Sequence, residues 1–225
     1  MPKADFIKTM FNDISGKYDL LNDILSVGTH RIWKKNLAKM ASRHKEQTIL
    51  DCATGTGDIA FLLEEISTAK IEAIDFSSKM IEIAKKKKEN LNSKIHFQVA
   101  DIEILPFKSL QFDSTTLSFG IRNVENIPKA LTELSRVSKS LYILEFGDPP
   151  NPILSFLYFS LLRLYFPIFS FLSGRSDAYE YLITSSKNFP SGDKFLELLK
   201  KHTHYKTFNY FPLFGGIAYI YQAKE

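Results

Sequence analysis

The chain has 225 residues, 44% of them hydrophobic, with a formal charge of +4 and a pI near 8.9. That is enough apolar material for one domain, residues 1–225, with its own core. A single cysteine, Cys52, excludes an intrachain disulfide and fits a reducing cytosol, and no CxxC or HExxH spacing marks a metal site, so none is expected.

In chain order, the first 47 residues read as an amphipathic helical cover, with Trp33 following the turn GTHR. The start, MPKADFIKTMF, lacks the apolar core and cleavage site of an export signal. Short β-like runs then alternate with longer helical stretches, the pattern of a parallel sheet covered by helices. The strands read as TILDCAT (48–54), KIEAIDF (70–76), KIHFQVADI (94–102), FDSTTLSFGI (112–121) and LYILEFG (141–147). Helices run through IAFLLEEI, through SSKMIEIAKKKKENL with Ser77 or Ser78 as its cap, and through IPKALTELSRVSK, opened near Pro128. The run KKKKEN (85–90) has no interleaved aromatic residues to stack bases, so it reads as a solvated helix end and no nucleic-acid partner is expected; mild attraction to anionic lipid stays open.

Residues 151–205 read as a helical cap. Its first part, ILSFLYFSLLRLYFPIFSFL (153–172), approaches membrane-spanning length but is interrupted by Arg163 and Pro167. Two helices parted at FPSG (189–192) follow, and YKTFNYFPLFGGIAYIYQAKE closes the chain as an antiparallel hairpin turning at Gly215 and Gly216.

Four strand ends carry candidate chemistry. After the first come Gly55, Thr56, Gly57 and Asp58, small residues that let backbone amides approach a ligand at a helix start. Gly55, Gly57 and Ala60 also satisfy the GxGxxA form of a dinucleotide loop, which keeps a nicotinamide or flavin enzyme open. Asp75 ends the second strand, where a carboxylate accepts both hydroxyls of a ribose. Asp101 and Ile102 end the third, offering an acid and backbone groups to an adenine edge; Asp101 is alternatively a turn aspartate. Asp51, within the first strand, either neutralises a ligand ammonium or braces the glycine loop. The fourth strand ends in SFGIRNV, where an apolar run stops at Arg122 and Asn123, a cation and an amide.

Several segments together resemble the ubiquinone/menaquinone biosynthesis C-methyltransferases of UbiE/MenG type, within the class I S-adenosylmethionine-dependent methyltransferases. They are FNDISGKYDLLNDILSVGTHRIWKK, LDCATGTGD, IDFSSKM, LPF, FGIRNV, ILEF and the terminal GGIA, spread over nearly the whole chain. The resemblance implies an α/β class I methyltransferase fold, Rossmann-like, with a seven-stranded, mostly parallel sheet, an antiparallel C-terminal strand, the helical cover and the cap. It implies S-adenosylmethionine as cofactor, with Thr56 in the glycine loop, Asp75 at the ribose, Asp101 and Ile102 at the adenine, and Ser118 ahead of RNV. Two departures stand out: Ala53 replaces a frequent first glycine, and RVSKSL (136–141) replaces a proline-glycine turn, shortening a loop on the far side of the sheet.

The implied reaction methylates a ring carbon of a polyprenylated quinol: demethylmenaquinol, or the methoxy-benzoquinol precursor of ubiquinone. Two alternatives are another lipophilic small molecule and a catalytically idle cofactor-binding partner of a quinone-synthesis complex. A ring carbon is a poor nucleophile until a neighbouring hydroxyl loses its proton. Arg122 either stabilises that phenolate, directly or through a water, or pairs with Glu145 or Asp148 and fixes the loops. Asn123 is placed to orient the water or ring oxygen, and Asp148 is a further acceptor. His30 beside Trp33 reads as packing before base; Tyr18 and Tyr179 are candidate cavity walls; His44, His96, His202 and His204 show no partner. The apolar cap segment suits a prenyl tail or a membrane surface at the inner face of the cytoplasmic membrane; alternatively it is a helix packed on the sheet or buried in a homodimer.

Overall fold

The structure, a computed structural model, describes residue 9 and residues 28–43, 47–173 and 176–225. Helix α1 (Thr29–Ala41) leads to β1 (Thr48–Cys52), α2 (Asp58–Ile66), β2 (Lys70–Asp75), α3 (Ser78–Leu91), β3 (His96–Val99) and β4 (Ser114–Ser118). A 3-10 turn (Ile121–Asn123) precedes α4 (Ile127–Val137) and β5 (Ser140–Phe146). Helices α5 (Pro152–Ser173), α6 (Ser176–Asn188) and α7 (Asp193–His202) follow, and then come β6 (Thr207–Leu213), a 3-10 turn (Phe214–Gly216) and β7 (Ala218–Lys224).

The seven strands form one sheet in the order β3-β2-β1-β4-β5-β7-β6. β1 to β5 pair parallel, and β7 pairs antiparallel with both β5 and β6, as expected. The chain moves outward to one side from β1 through β2 to β3, then returns to lay β4 on the other side of β1. That reversal opens a crevice at the carboxyl ends of β1 and β4, where ligands bind in sheets of this kind.

Alternation along the central strands supplies two cores. Leu50, Cys52 and Leu117 face α4 and α7, packing with Leu131, Leu134 and Phe195. Ile49 and Leu144 face the other side, with Trp33 and Leu37 of α1, Leu63 of α2 and Ile81 of α3. Each such fully buried aliphatic side chain stabilises the fold by about 1.5–3 kcal/mol relative to exposure. Trp33 sits edge-on to Phe146 and Phe214, at 6.2 and 5.7 Å, and so ties α1 to the far end of the sheet.

Local signals act where the sequence places them. Ser77 caps α3, its Oγ accepting from Met80 N at 3.2 Å, and Asn126 caps α4, accepting from Lys129 N. Two strands are shorter than the apolar runs suggest. β3 ends at Val99 because its one neighbour, β2, ends opposite it at Asp75. β4 ends at Ser118 because Phe119 turns to a left-handed φ of 56°, and the apolar FGI becomes a buried turn. The RVSKSL departure is a two-residue link, in which Ser138 Oγ bonds Leu134 O and Tyr205 OH, each at 3.0 Å.

Candidate active site

A cavity of about 160 Å³ lies at the carboxyl ends of β1 to β4. Of the residues singled out from sequence, it brings together Gly55, Asp75, Asp101, Ile102, Ser118 and Asn123.

Asp75 is buried, and its carboxylate is built into the glycine loop. Gly55 N donates to Oδ2 and Ser77 N to Oδ1, both at 2.9 Å. Burial pushes its pKa up to about 6, against the pull of those backbone amides. Asp101 is exposed at the cavity rim and also closes a turn, accepting from Glu103 N at 2.8 Å. Ser118 Oγ is buried with no hydrogen-bond partner among the described residues, a polar atom at the cavity wall with unused capacity.

Asp51 lies beneath the loop instead of in the cavity wall. It is fully buried and accepts from Thr54 Oγ1 at 2.6 Å and from Thr116 Oγ1 at 2.7 Å, Thr116 being its register partner on β4. Burial raises its pKa to about 7. Thr56 and Gly57 turn to the side of the loop away from the cavity. Gly57 carries φ 94° at the start of α2, where an added Cβ would stand 2.7 Å from the Phe61 ring. Thr56 Oγ1 accepts from Lys87 Nζ at 2.9 Å.

Two lysines not singled out from sequence fix that side. Lys34 of α1 pairs with Asp58 at 2.8 Å, and Lys87, from the basic run on α3, lies 3.6 Å from it. Burial pushes the Asp58 carboxyl up, but Lys34, Lys87 and His30 more than reverse this and hold it below its usual range. Lys87 carries no sequence signal separating it from its solvated neighbours.

Arg122 and Asn123 sit in the turn after β4. The Arg122 guanidinium pairs with the wholly buried Glu145 through Nη1, and the backbone N of Arg122 donates to Glu145 Oε2 at 3.3 Å. Of the two pairing acids anticipated, Glu145 is the one found. Burial raises the Glu145 pKa, opposed by Arg122. The guanidinium lies 5.4 Å from the Phe146 ring centroid, and its Nε is buried with no partner among the described residues. Asn123 accepts from the Tyr181 hydroxyl at 3.0 Å and donates to Phe119 O at 3.3 Å. Tyr181 escaped the sequence reading because tyrosines in an aromatic-rich helix give no sign of what they touch.

Asp148 stands apart, bonded to Ser155 Oγ and so joining the end of β5 to the start of α5. His30 is buried. His96 contacts Glu72, His204 lies 3.6 Å from Glu225, and His202 offers its carbonyl to Thr132. Tyr18, His44 and the Tyr179 side chain lie outside the described residues.

A mostly parallel sheet with this switch-point cavity is the fold of S-adenosylmethionine-dependent methyltransferases. A Thermotoga maritima protein described as such an enzyme, a possible histamine N-methyltransferase, matches with a TM-score of 0.69 at 16% identity over 97% of this chain and 99% of its own. A Methanococcus maripaludis putative S-adenosylmethionine-dependent methyltransferase matches with a TM-score of 0.64 at 19% identity, over 94% and 91%. At such identities the likeness is one of fold. Sequence goes further: residues 2–224 match the ubiE/COQ5 methyltransferase family. The ubiquinone/menaquinone biosynthesis C-methyltransferase UbiE of Bdellovibrio bacteriovorus is 37% identical over 226 residues, covering 98% of this chain and 96% of that protein. The UbiE of a Geobacter species is 38% identical, covering 97% and 96%. The chain belongs to the ubiE/COQ5 methyltransferase family, which sets aside the nicotinamide reading of the glycine loop.

Proposed function

We propose that this chain methylates a ring carbon of a polyprenylated quinol, with S-adenosylmethionine as donor. The substrate is demethylmenaquinol or the methoxy-benzoquinol precursor of ubiquinone. One observation carries this reading: the end-to-end similarity to UbiE proteins at 37–38% identity.

The cavity residues fit that cofactor. Asp75 accepts the ribose hydroxyls while Gly55 N and Ser77 N hold its carboxylate in place. Asp101 and the backbone of Ile102 face the adenine, and Ser118 Oγ has bonding capacity to give. Asp51 braces the loop of Gly55, Thr56 and Gly57 from below through Thr54 and adds negative charge beneath a ligand ammonium. When bound, the cofactor supplies a methyl group on a sulfonium, an electrophile whose carbon–sulfur electron pair departs with sulfur.

The protein must favour phenolate, align the ring carbon with that methyl, and let the ring proton leave so that aromaticity returns. Arg122 is neutralised by Glu145, so it acts on the developing phenolate through its N–H donors more than through net charge. Asn123, at the cavity wall, contacts the same oxygen or its water. Asp148, which stands apart from the cavity, anchors the cap through Ser155.

The prenyl tail accounts for α5. Its buried face carries Phe159 and Leu162, while Ile153, Phe156, Leu157, Leu161 and Leu164 are exposed, Phe156 at 71% and Leu164 at 74%. No helix among the described residues is long and apolar enough to cross a membrane. On this reading the exposed face rests on a bilayer that holds the substrate; self-association through the same face is the competing use.

Incubation with labelled S-adenosylmethionine and a panel of reduced demethylquinones tests the function. Label is expected on the quinol ring. Cofactor binding with no transfer to any quinol would sink it in favour of the idle-partner reading. Flotation with anionic liposomes is expected to carry the protein, and a Phe156→Glu/Leu164→Glu variant is expected to stay behind.

A further inference from the structure

An asparagine amide carries one acceptor and two N–H donors, so its orientation decides whether it can take a proton or only offer one. Two contacts settle the orientation of Asn123. Its Nδ2 lies 3.3 Å from the carbonyl oxygen of Phe119, which can only accept, and its Oδ1 lies 3.0 Å from the Tyr181 hydroxyl. Turning the amide over would set two carbonyl oxygens against each other at Phe119. The hydroxyl of Tyr181 is therefore the donor, and Nδ2 keeps a second N–H beyond the one given to Phe119. Among the described residues no acceptor takes it, and Asn123 lines the cavity beside Phe119 and Gly120.

We infer that Tyr181 is a positioning residue for methyl transfer: by donating to Asn123 Oδ1 it locks the amide so that an N–H is offered to the oxygen of the reacting ring. Asn123 is then a donor to phenolate, not an acceptor of the hydroxyl proton. This rests on the functional reading above and adds a role for α6, which packs against the turn that carries Arg122 and Asn123. Among the described residues, the charged groups that face the phenol are Arg122 and Glu145, and Ser185, one helical turn on, hydrogen-bonds it. Burial raises its pKa above the ordinary tyrosine value, so its proton is present to be donated throughout the neutral range.

Tyr181→Phe keeps the ring and removes the hydroxyl. It is expected to lower kcat about tenfold, to leave KM for the methyl donor within about twofold, and to move the rise of kcat with pH up by about one pH unit. Asn123→Ala is expected to lower kcat further, and adding Tyr181→Phe to it should change little, because the phenol acts through the amide. Unchanged kcat and pH profile in Tyr181→Phe, or losses that multiply in the double variant, would overturn the inference. Asn123→Asp leaves α6 untouched and keeps an acceptor for Tyr181 but has no N–H; turnover equal to wild type would overturn it as well. A titration without turnover separates this inference from the functional reading. With S-adenosylhomocysteine present, 4-nitro-1-naphthol bound to wild type is expected to ionise about one pH unit lower than on Tyr181→Phe. Equal values overturn the positioning role, whereas a wild type that methylates no quinol overturns the functional reading alone.

Discussion

Ala53 and Gly120 touch across the cavity floor: a Cβ added at Gly120 would stand 2.6 Å from the Cβ of Ala53. Ala53 occupies the left-handed region, at φ 50°, where glycine is the usual residue. The loop after β1 thus carries a methyl group that the loop after β4 accommodates by having none. Gly120→Ala is expected to destabilise the protein by about 1–3 kcal/mol through overpacking. Ala53→Gly is expected to be neutral or mildly stabilising, relief of about 1–2 kcal/mol of left-handed strain being offset by added chain entropy. The double variant should recover most of the loss in urea unfolding; one as unstable as Gly120→Ala alone would show that the collision lies elsewhere.

The buried carboxylates beneath the glycine loop set a pH dependence. Asp51 and Asp75 rise from 3.8 to about 7 and about 6 on folding, chiefly through burial. A raised pKa contributes stability that is full below 3.8 and is lost as pH climbs through the folded value. Ligand-free protein is therefore expected to lose stability between about pH 4 and pH 7 and to level off above that, with the gap between 3.8 and about 7 capping the Asp51 share at about 4 kcal/mol. Asp51→Asn should flatten that slope in thermal melts. A slope parallel to wild type would mean that Asp51 titrates normally. Asp58, held low, contributes in the opposite sense, its share being lost only as pH falls below 4.

Breaking the Arg122–Glu145 pair separates scaffold from chemistry. Arg122→Met leaves Glu145 buried without its partner and is expected to cost about 3–5 kcal/mol. Arg122→Met/Glu145→Gln should regain most of that stability while turnover stays low. Arg122→Lys should keep cofactor affinity and lose most turnover, because an ammonium does not reproduce the fork that spans Glu145 and the turn. Full turnover in the double variant would reduce Arg122 to a brace.

Asp75→Asn removes the charge that holds the ribose reading together. Hydrogen bonds to a charged group contribute about 1.5–3 kcal/mol, so calorimetry is expected to show cofactor affinity about 10- to 100-fold weaker. An unchanged Kd would move the ribose elsewhere.

Much of this architecture is legible in the residues, and the exceptions have physical causes. Short apolar runs mark β1, β2 and β5 because both faces of those strands are covered, and the terminal hairpin declares itself through Gly215 and Gly216. An apolar run cannot say where a strand stops when the following turn is also buried, which is why β4 reads too long through Phe119 and Ile121. Asp75 and Asp101 sit at strand ends and so announce the cavity. Asp51 does not, because its partner Thr116 is 65 residues away and becomes adjacent only once the β1–β4 register is set. Tyr181 meets Asn123 across 58 residues, and nothing local distinguishes it from Tyr179.

If the outward apolar face of α5 rests on a bilayer, as proposed, it bears on kinetics as well as on adhesion. An enzyme that works while adsorbed meets its substrate in two dimensions, so its velocity follows the mole fraction of quinol in the lipid rather than the amount in the tube. With protein and quinol held constant, added empty vesicles should slow the reaction by spreading the same quinol over more surface. Truncating the prenyl tail should abolish that effect, because the short quinol would arrive from water. The tie from Asp148 to Ser155 joins the helix that carries this face to the end of the strand that carries Glu145, the acid that holds Arg122.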